Sequence, residues 1–247
     1  MAQKLQPNKL LASFPFEEKK EEKRIVTLFF LLACEGQKTE PFYFLSFPNN
    51  GKFKIEIDFV DKKGKIIKVK KGKTYKKLGG INTIEVVNMA IRAKTKSKQK
   101  YDKVWAVFDK DNFPDEDFNA AIQKAESNNI GCAWSNEAFE LWYLFHFKYQ
   151  NTGMKRDKYQ KDIENNIKRI TGDSKFKYTK NSTEMYDILQ KYGNQSQAIK
   201  NAERLSNSYN NQKFATHNPR TQVYELVNQL IGKEDKKLDK EIKQEFK

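Results

Sequence analysis

The chain has 247 residues, 47 Lys+Arg against 32 Asp+Glu for a net charge of +15, and 38% hydrophobic residues; such a chain can build a core, which excludes wholesale disorder. Its longest apolar run, residues 28–34, falls far short of the ~20 residues that span a bilayer, and the first residues lack the apolar stretch of a signal peptide. Two cysteines (Cys34, Cys132) and two histidines (His146, His217) exclude a disulfide framework and a finger-like zinc site and suggest a reducing cytosol, while the excess of base suggests nucleic acid as partner.

Residues 1–23 read as a flexible polar leader, because the run EEKKEEK at 17–23 has no apolar face. Residues 24–33 (RIVTLFFLLA) are almost wholly apolar, the pattern of a strand buried on both faces. That strand stops at Cys34-Glu35-Gly36, and Thr39-Glu40-Pro41 opens a helix with Thr39 as its cap. Residues 53–60 (FKIEIDFV) alternate as a second strand. Residues 61–77 hold nine Lys and one Asp. Ile84, Val87 and Ile91 give 81–94 a helical period. Residues 103–108 (KVWAVF) form a third strand, ending in Asp109-Lys110-Asp111. A helix over 115–129 gathers Phe118, Ala121, Ile122 and Ala125 on one face, 130–134 is a short fourth strand, and 136–147 is a strongly apolar helix.

Strand and helix therefore alternate over 24–148, which implies parallel strands with right-handed crossovers, an α/β sandwich. From 149 onward no strand is evident. Residues 159–170, 182–192, 196–208 and 219–231 read as helices, the last with Asn218 at its cap and Pro219 in first position. The expected organisation is the leader 1–23, an α/β catalytic domain over 24–148 with a lysine-rich insertion at 61–77, and a helical region over 149–247.

Chemistry in such folds sits just beyond the C-terminal ends of strands. Glu35 follows the first strand, and Asp109 and Asp111 follow the third. Two apart in an extended segment, Asp109 and Asp111 share a face, and two such carboxylates repel unless a cation or proton lies between them. A hard divalent ion such as Mg²⁺ or Mn²⁺ suits oxygen ligands and would neutralise a phosphodiester oxygen. Glu35 would complete that site or act as general base. A polar turn is the bland alternative for each residue taken singly.

The segment Cys34-Glu35-Gly36-Gln37-Lys38-Thr39-Glu40-Pro41-x-Tyr43-Phe44 resembles the opening motif of RloB-like proteins. VWAVFDKDNFP at 104–114, AWSNEAFELWYLFHF at 133–147 and Asn218-Pro219-x-Thr221-x-Val223 resemble their later blocks. The resemblance implies a Toprim-type domain, a parallel sheet sandwiched by helices and followed by an α-helical C-terminal region. The Toprim acids fall on Glu35, Asp109 and Asp111. It further implies Mg²⁺-dependent phosphodiester cleavage in bacterial antiphage defence, on RNA such as tRNA or else on DNA, with an ATPase as partner. A non-catalytic, nucleic-acid-binding subunit of an ATPase complex is the alternative.

Lys38 is a candidate phosphate contact, or a solvent-exposed turn lysine. Glu140, set among Phe139, Leu141 and Trp142, would be costly to bury unpaired; it is either a further site ligand or the partner of a lysine. Glu137, three residues before it, shares nearly the same helix face or caps the helix. The candidate nucleic-acid contacts are Lys62, Lys63, Lys65, Lys68, Lys70, Lys71, Lys73, Lys76 and Lys77, with Tyr75 to stack on a base and Arg92 following. A solvated loop is their alternative. Gly72-Lys73-Thr74 lacks the earlier glycine of a P-loop, since Ile67 stands there, so NTPase chemistry is not expected. His146 reads as structural, His217 as a cap or a reach toward the active edge, and both cysteines as buried thiols. The apolar helix 136–147 and the helical tail offer faces for a partner or a second copy of the chain.

Overall fold

The computed structural model describes residues 25–49, 53–70 and 81–233; the expected leader, Lys71, Lys73, Tyr75, Lys76, Lys77 and the tail from 234 lie outside them. Burial on both sides suits β1 (Val26–Cys34) to its place as one of the two central strands of a six-stranded sheet. Leu28, Phe30, Leu32 and Cys34 enter the core on one face, and Leu31 and Ala33 the core on the other. That alternation is the period of a strand with two covered faces. β2 (Phe53–Val60) and β4 (Lys103–Asp109) flank β1 in parallel, and β5 (Gly131–Asn136) runs parallel to β4. Two short edge strands, β3 (Ile66–Ile67) and β6 (Arg220–Thr221), are antiparallel to their neighbours, giving the order β3-β2-β1-β4-β5-β6. The fold class is α/β with a largely parallel sheet, as the alternation of elements implies.

The crossover helices α2 (Thr83–Lys96) and α3 (Asp115–Ser127) pack on one face. Asn82 caps α2, its Oδ1 accepting from Glu85 N at 3.0 Å, so the helix starts two residues later than its apolar period suggests. α3 buries Phe118, Ala121, Ile122 and Ala125, the face read from sequence. The other face carries α1 (Thr39–Phe44), α4 (Glu140–Phe145), α5 (Arg156–Thr171), α6 (Met185–Tyr192), α7 (Gln195–Ser206) and α8 (Val223–Leu230). Their Tyr43, Trp142, Ile163, Leu189, Ala202 and Leu226 share one core with Leu28 and Trp105 of the sheet. The C-terminal helices thus build the second hydrophobic layer.

Several sequence expectations are corrected here. β3 forms inside the lysine-rich stretch, and β6 lies where no strand was expected. Each is two residues long, too short to show alternation, and forms because a neighbouring strand edge offers unpaired backbone groups. Residues 136–139 do not extend the apolar helix: Asn136 pairs with Arg220 in the sheet and its Nδ2 donates to Ala215 O at 2.9 Å, so α4 begins only at Glu140. Pro219 does not start a helix, because Arg220 and Thr221 are taken by the sheet and α8 begins at Val223. Thr39 does not cap α1. Lys38 occupies that position with no side-chain cap bond, and the Thr39 hydroxyl donates instead to Asn181 Oδ1 at 2.9 Å. Among the described residues no helix is long and apolar enough to cross a membrane.

Candidate active site

The exits of the central strands bring the acids together. Glu35 follows β1, and its N–H donates to Val107 O at 2.9 Å, which keeps it alongside β4. Its Oε2 accepts from Asp109 N at 3.0 Å. Asp109 ends β4. The chain beyond is held against the exit of β5, with Lys110 N donating to Ser135 O at 2.8 Å and Asp111 N to Glu137 O at 3.3 Å. Asp111 has φ of 39°, a left-handed turn that aspartate tolerates better than most residues. The two aspartates therefore do not meet as alternate residues of an extended segment, as their spacing suggested. They converge because the backbone turns.

What they converge on is Arg156, the first residue of α5. Its Nη2 lies 2.8 Å from Asp109 Oδ2 and 2.7 Å from Asp111 Oδ1. Glu140, from the first turn of α4, places Oε2 at 3.5 Å from Arg156 Nε, while its Oε1 accepts from Gln160 Nε2 at 2.8 Å and Tyr178 Oη at 3.3 Å. Those bonds meet the cost of burying it. Glu40 of α1 packs over Gly36, where any Cβ would come within 1.9 Å of Glu40 Oε2. Glycine at 36 thus leaves the Glu40 carboxylate the place it occupies, and a side chain there would displace it. A cleft of about 430 Å³ is lined by these acids and by Gln37, Lys38, Thr39, Phe139, Lys180 and Asn181.

Five carboxylates thus face one guanidinium. Burial raises Glu35 from 4.5 to about 8; the Asp109 N–H and Arg156 pull it down, while Glu40 and Asp111 push it up. Burial likewise raises Glu40 to about 7, with Glu140 adding to the rise. Asp109 is pushed well above the usual carboxylate range by burial and then by Glu40, against the pull of Arg156. Arg156 itself is drawn down by burial, but Asp109, Glu140 and Asp111 outweigh this and hold its cation more firmly.

The donor chemistry suits a hard divalent ion, since the cluster offers only carboxylate oxygens. Glu40 Oε2 is buried without a hydrogen-bond partner, the state of an oxygen awaiting a cation or proton. Among the described residues no three His, Cys, Asp or Glu side chains already enclose a metal position; Arg156 stands between Asp109 and Asp111. The residues fit a divalent cation on condition that the guanidinium gives way.

The other candidates separate. Lys38 lines the cleft. Glu137 lies before α4 and contributes its backbone carbonyl to Asp111, not a helix face shared with Glu140. His217 is buried away from the cleft lining, stacked on Tyr209 at 4.2 Å between ring centroids. Its Nδ1 accepts from Arg220 Nη1 at 2.8 Å, so Nε2 carries the proton and donates to Asn211 Oδ1 at 2.9 Å. This is a fastening for the β6 segment. His146 is buried with Nδ1 donating to Trp142 O at 3.0 Å. Lys62, Lys63, Lys65, Lys68 and Lys70 are exposed. The turn holding the first three is organised by buried Asp61, whose Oδ1 accepts from Lys63 N and Lys65 N, both at 2.9 Å. It follows the exit of β2, on the sheet edge that carries Glu35. Arg92 is paired with Glu85 on its own helix.

Sequence reasoning missed Arg156, Lys180 and Asn181. The one signal present was scarcity, six arginines against 41 lysines; Arg156 falls before the helix read at 159–170, and nothing local ties it to an acid 47 residues away.

The model of the RloB-like protein family matches residues 30–230. No curated protein and no solved structure matches the chain.

Proposed function

The chain belongs to the RloB-like family, and from that premise we propose that it is a metal-dependent nuclease of the Toprim type that cleaves RNA, tRNA in particular, in bacterial antiphage defence. The observation that carries the reading is the gathering of Glu35, Glu40, Asp109, Asp111 and Glu140 in one cleft at the exits of the parallel strands, with Arg156 set between Asp109 and Asp111. Glu35, Asp109 and Asp111 would hold Mg²⁺ or Mn²⁺. When bound, such an ion supplies Lewis-acid neutralisation of a phosphoryl oxygen.

The remaining work falls to the chain's own groups. Glu35, whose Oε2 is fixed at the exit of β4 by the Asp109 N–H, is placed either to complete the metal site or to take the proton of an attacking hydroxyl. Lys38 and Lys180 at the cleft wall attract the phosphate. The exposed lysines after β2 guide the strand along the same edge of the sheet by contacts that are strong, salt-dependent and sequence-neutral. The choice of RNA, the defence setting and an ATPase partner rest on family resemblance.

The test is cleavage by the purified full chain of total tRNA, single-stranded RNA and duplex DNA, with Mg²⁺, Mn²⁺ or EDTA. Metal-dependent cleavage lost in Asp109→Ala/Asp111→Ala supports the reading, and the polymer cut names the substrate. Binding without turnover on every polymer replaces it with the effector-subunit reading.

A further inference from the structure

Arg156 is poorly explained as a plain structural counter-ion. It uses one nitrogen, Nη2, for both aspartates. Its Nε is buried and makes no hydrogen bond, lying 3.5 Å from Glu140 Oε2. A guanidinium settled on a carboxylate commonly gives two parallel bonds, so this fork is underused. Its side chain is 27% exposed and opens on the cleft. The charge is permanent, so Arg156 cannot leave the aspartates by losing a proton. Its place on the carboxylates is taken only by other positive charge, a proton or a metal cation. Independently, Glu40 is 7% exposed with an unpartnered Oε2 in the same cleft, an acceptor that Arg156 in its present position leaves unmet.

We propose that Arg156 is an exchangeable counter-ion: it holds Asp109 and Asp111 in the metal-free protein, yields them to a divalent cation, and then binds the substrate phosphate. The inference rests on the nuclease reading above. A guanidinium and a divalent cation cannot share Asp109 Oδ2 and Asp111 Oδ1, because like charges a few ångströms apart in a partly buried site repel strongly. Once released, the side chain stays tethered at the first turn of α5, in a cleft already lined by Lys38 and Lys180. Its planar fork matches a phosphodiester better than either lysine does. Two consequences follow. Arg156 lowers the affinity for metal when substrate is absent. Phosphate and metal then favour each other, because each stabilises the released guanidinium state.

The experiment is calorimetric titration of the full chain with Mn²⁺, with and without dimethyl phosphate as a minimal phosphodiester. Wild type is compared with Arg156→Gln and Arg156→Lys, with melting curves to establish folding. Arg156→Gln is expected to bind Mn²⁺ about tenfold more tightly, the scale of one partly buried ion pair, and to lose the tightening that dimethyl phosphate gives wild type. Equal Mn²⁺ affinity in wild type and a folded Arg156→Gln overturns this inference and leaves the metal site standing. Absence of Mn²⁺ binding from both overturns the metal-dependent reading along with it. If Arg156→Gln does not fold, Arg156→Lys decides: near-wild-type Mn²⁺ affinity with weakened phosphate coupling supports the role, and unchanged coupling overturns it.

Discussion

The acidic cleft and the lysine-bearing turn after β2 carry opposite charge on one edge of the sheet, and they are built on different principles. The cleft draws Glu35, Glu40, Asp109, Glu140 and Arg156 from four elements and their junctions, and most of its carboxylate surface is buried. Lys62, Lys63 and Lys65 come from a few consecutive residues and stay exposed. Buried charge is costly without partners, so Glu35, Asp109, Asp111 and Glu140 are each tied to a named neighbour, Glu40 Oε2 alone is left without one, and every position is demanding. Exposed lysine costs little to place and contributes little to stability. Charge therefore specifies geometry in one region and only a field in the other.

The largest expected effect falls on the cleft. Asp109→Ala or Asp111→Ala should lower cleavage at least about a hundredfold, the scale of losing one acid–base or metal-holding group. Gel-shift affinity for RNA in the same variants should stay near wild type; a parallel loss of binding would erase the distinction between the two regions. Next comes the scaffold that holds Arg156. Ile163 is fully buried in α5, and Ile163→Ala should cost about 2–5 kcal/mol in denaturant unfolding. A cost near zero would mean that α5 is not packed on the sheet as described.

A third test uses pH. Glu35 and Glu40 are raised from 4.5 to about 8 and about 7, so the folded chain keeps protons there that the unfolded chain has released. Stability must then fall as pH rises through that window. The metal-free protein should lose melting temperature between about pH 5 and pH 8, and Mg²⁺ or Mn²⁺ should restore most of it at the upper end. A flat profile would show that Glu35 and Glu40 are not buried as described. The smallest effect belongs to the lysines. Replacing Lys62, Lys63, Lys65 and Lys68 by Ala should leave unfolding free energy within about 0.5 kcal/mol, while reducing the salt slope of RNA binding by up to about 3. An unchanged slope would remove this turn from the nucleic-acid path.

Much of this architecture is legible in the sequence. The apolar run of β1, the alternation of β2 and the face Phe118–Ala121–Ile122–Ala125 of α3 each announce themselves through local burial with a regular period. Glu35 and Asp109 were readable for a related reason: a strand that stops at an acid places that acid at the sheet edge. The turn that aims Asp111 was not readable, because its spacing from Asp109 is equally compatible with an extended segment.

Sequence by itself determined the parallel α/β sheet, the acids at the strand exits and the basic stretch beside them, since each depends on residues near one another in the chain. Tertiary structure alone decided that Arg156 meets Asp109 across 47 residues, that Glu40 needs the space left by Gly36, and that Arg220 and Thr221 join the sheet. Those contacts leave no periodic trace, because they arise where separately specified elements pack, and packing sets which distant side chains share a buried volume.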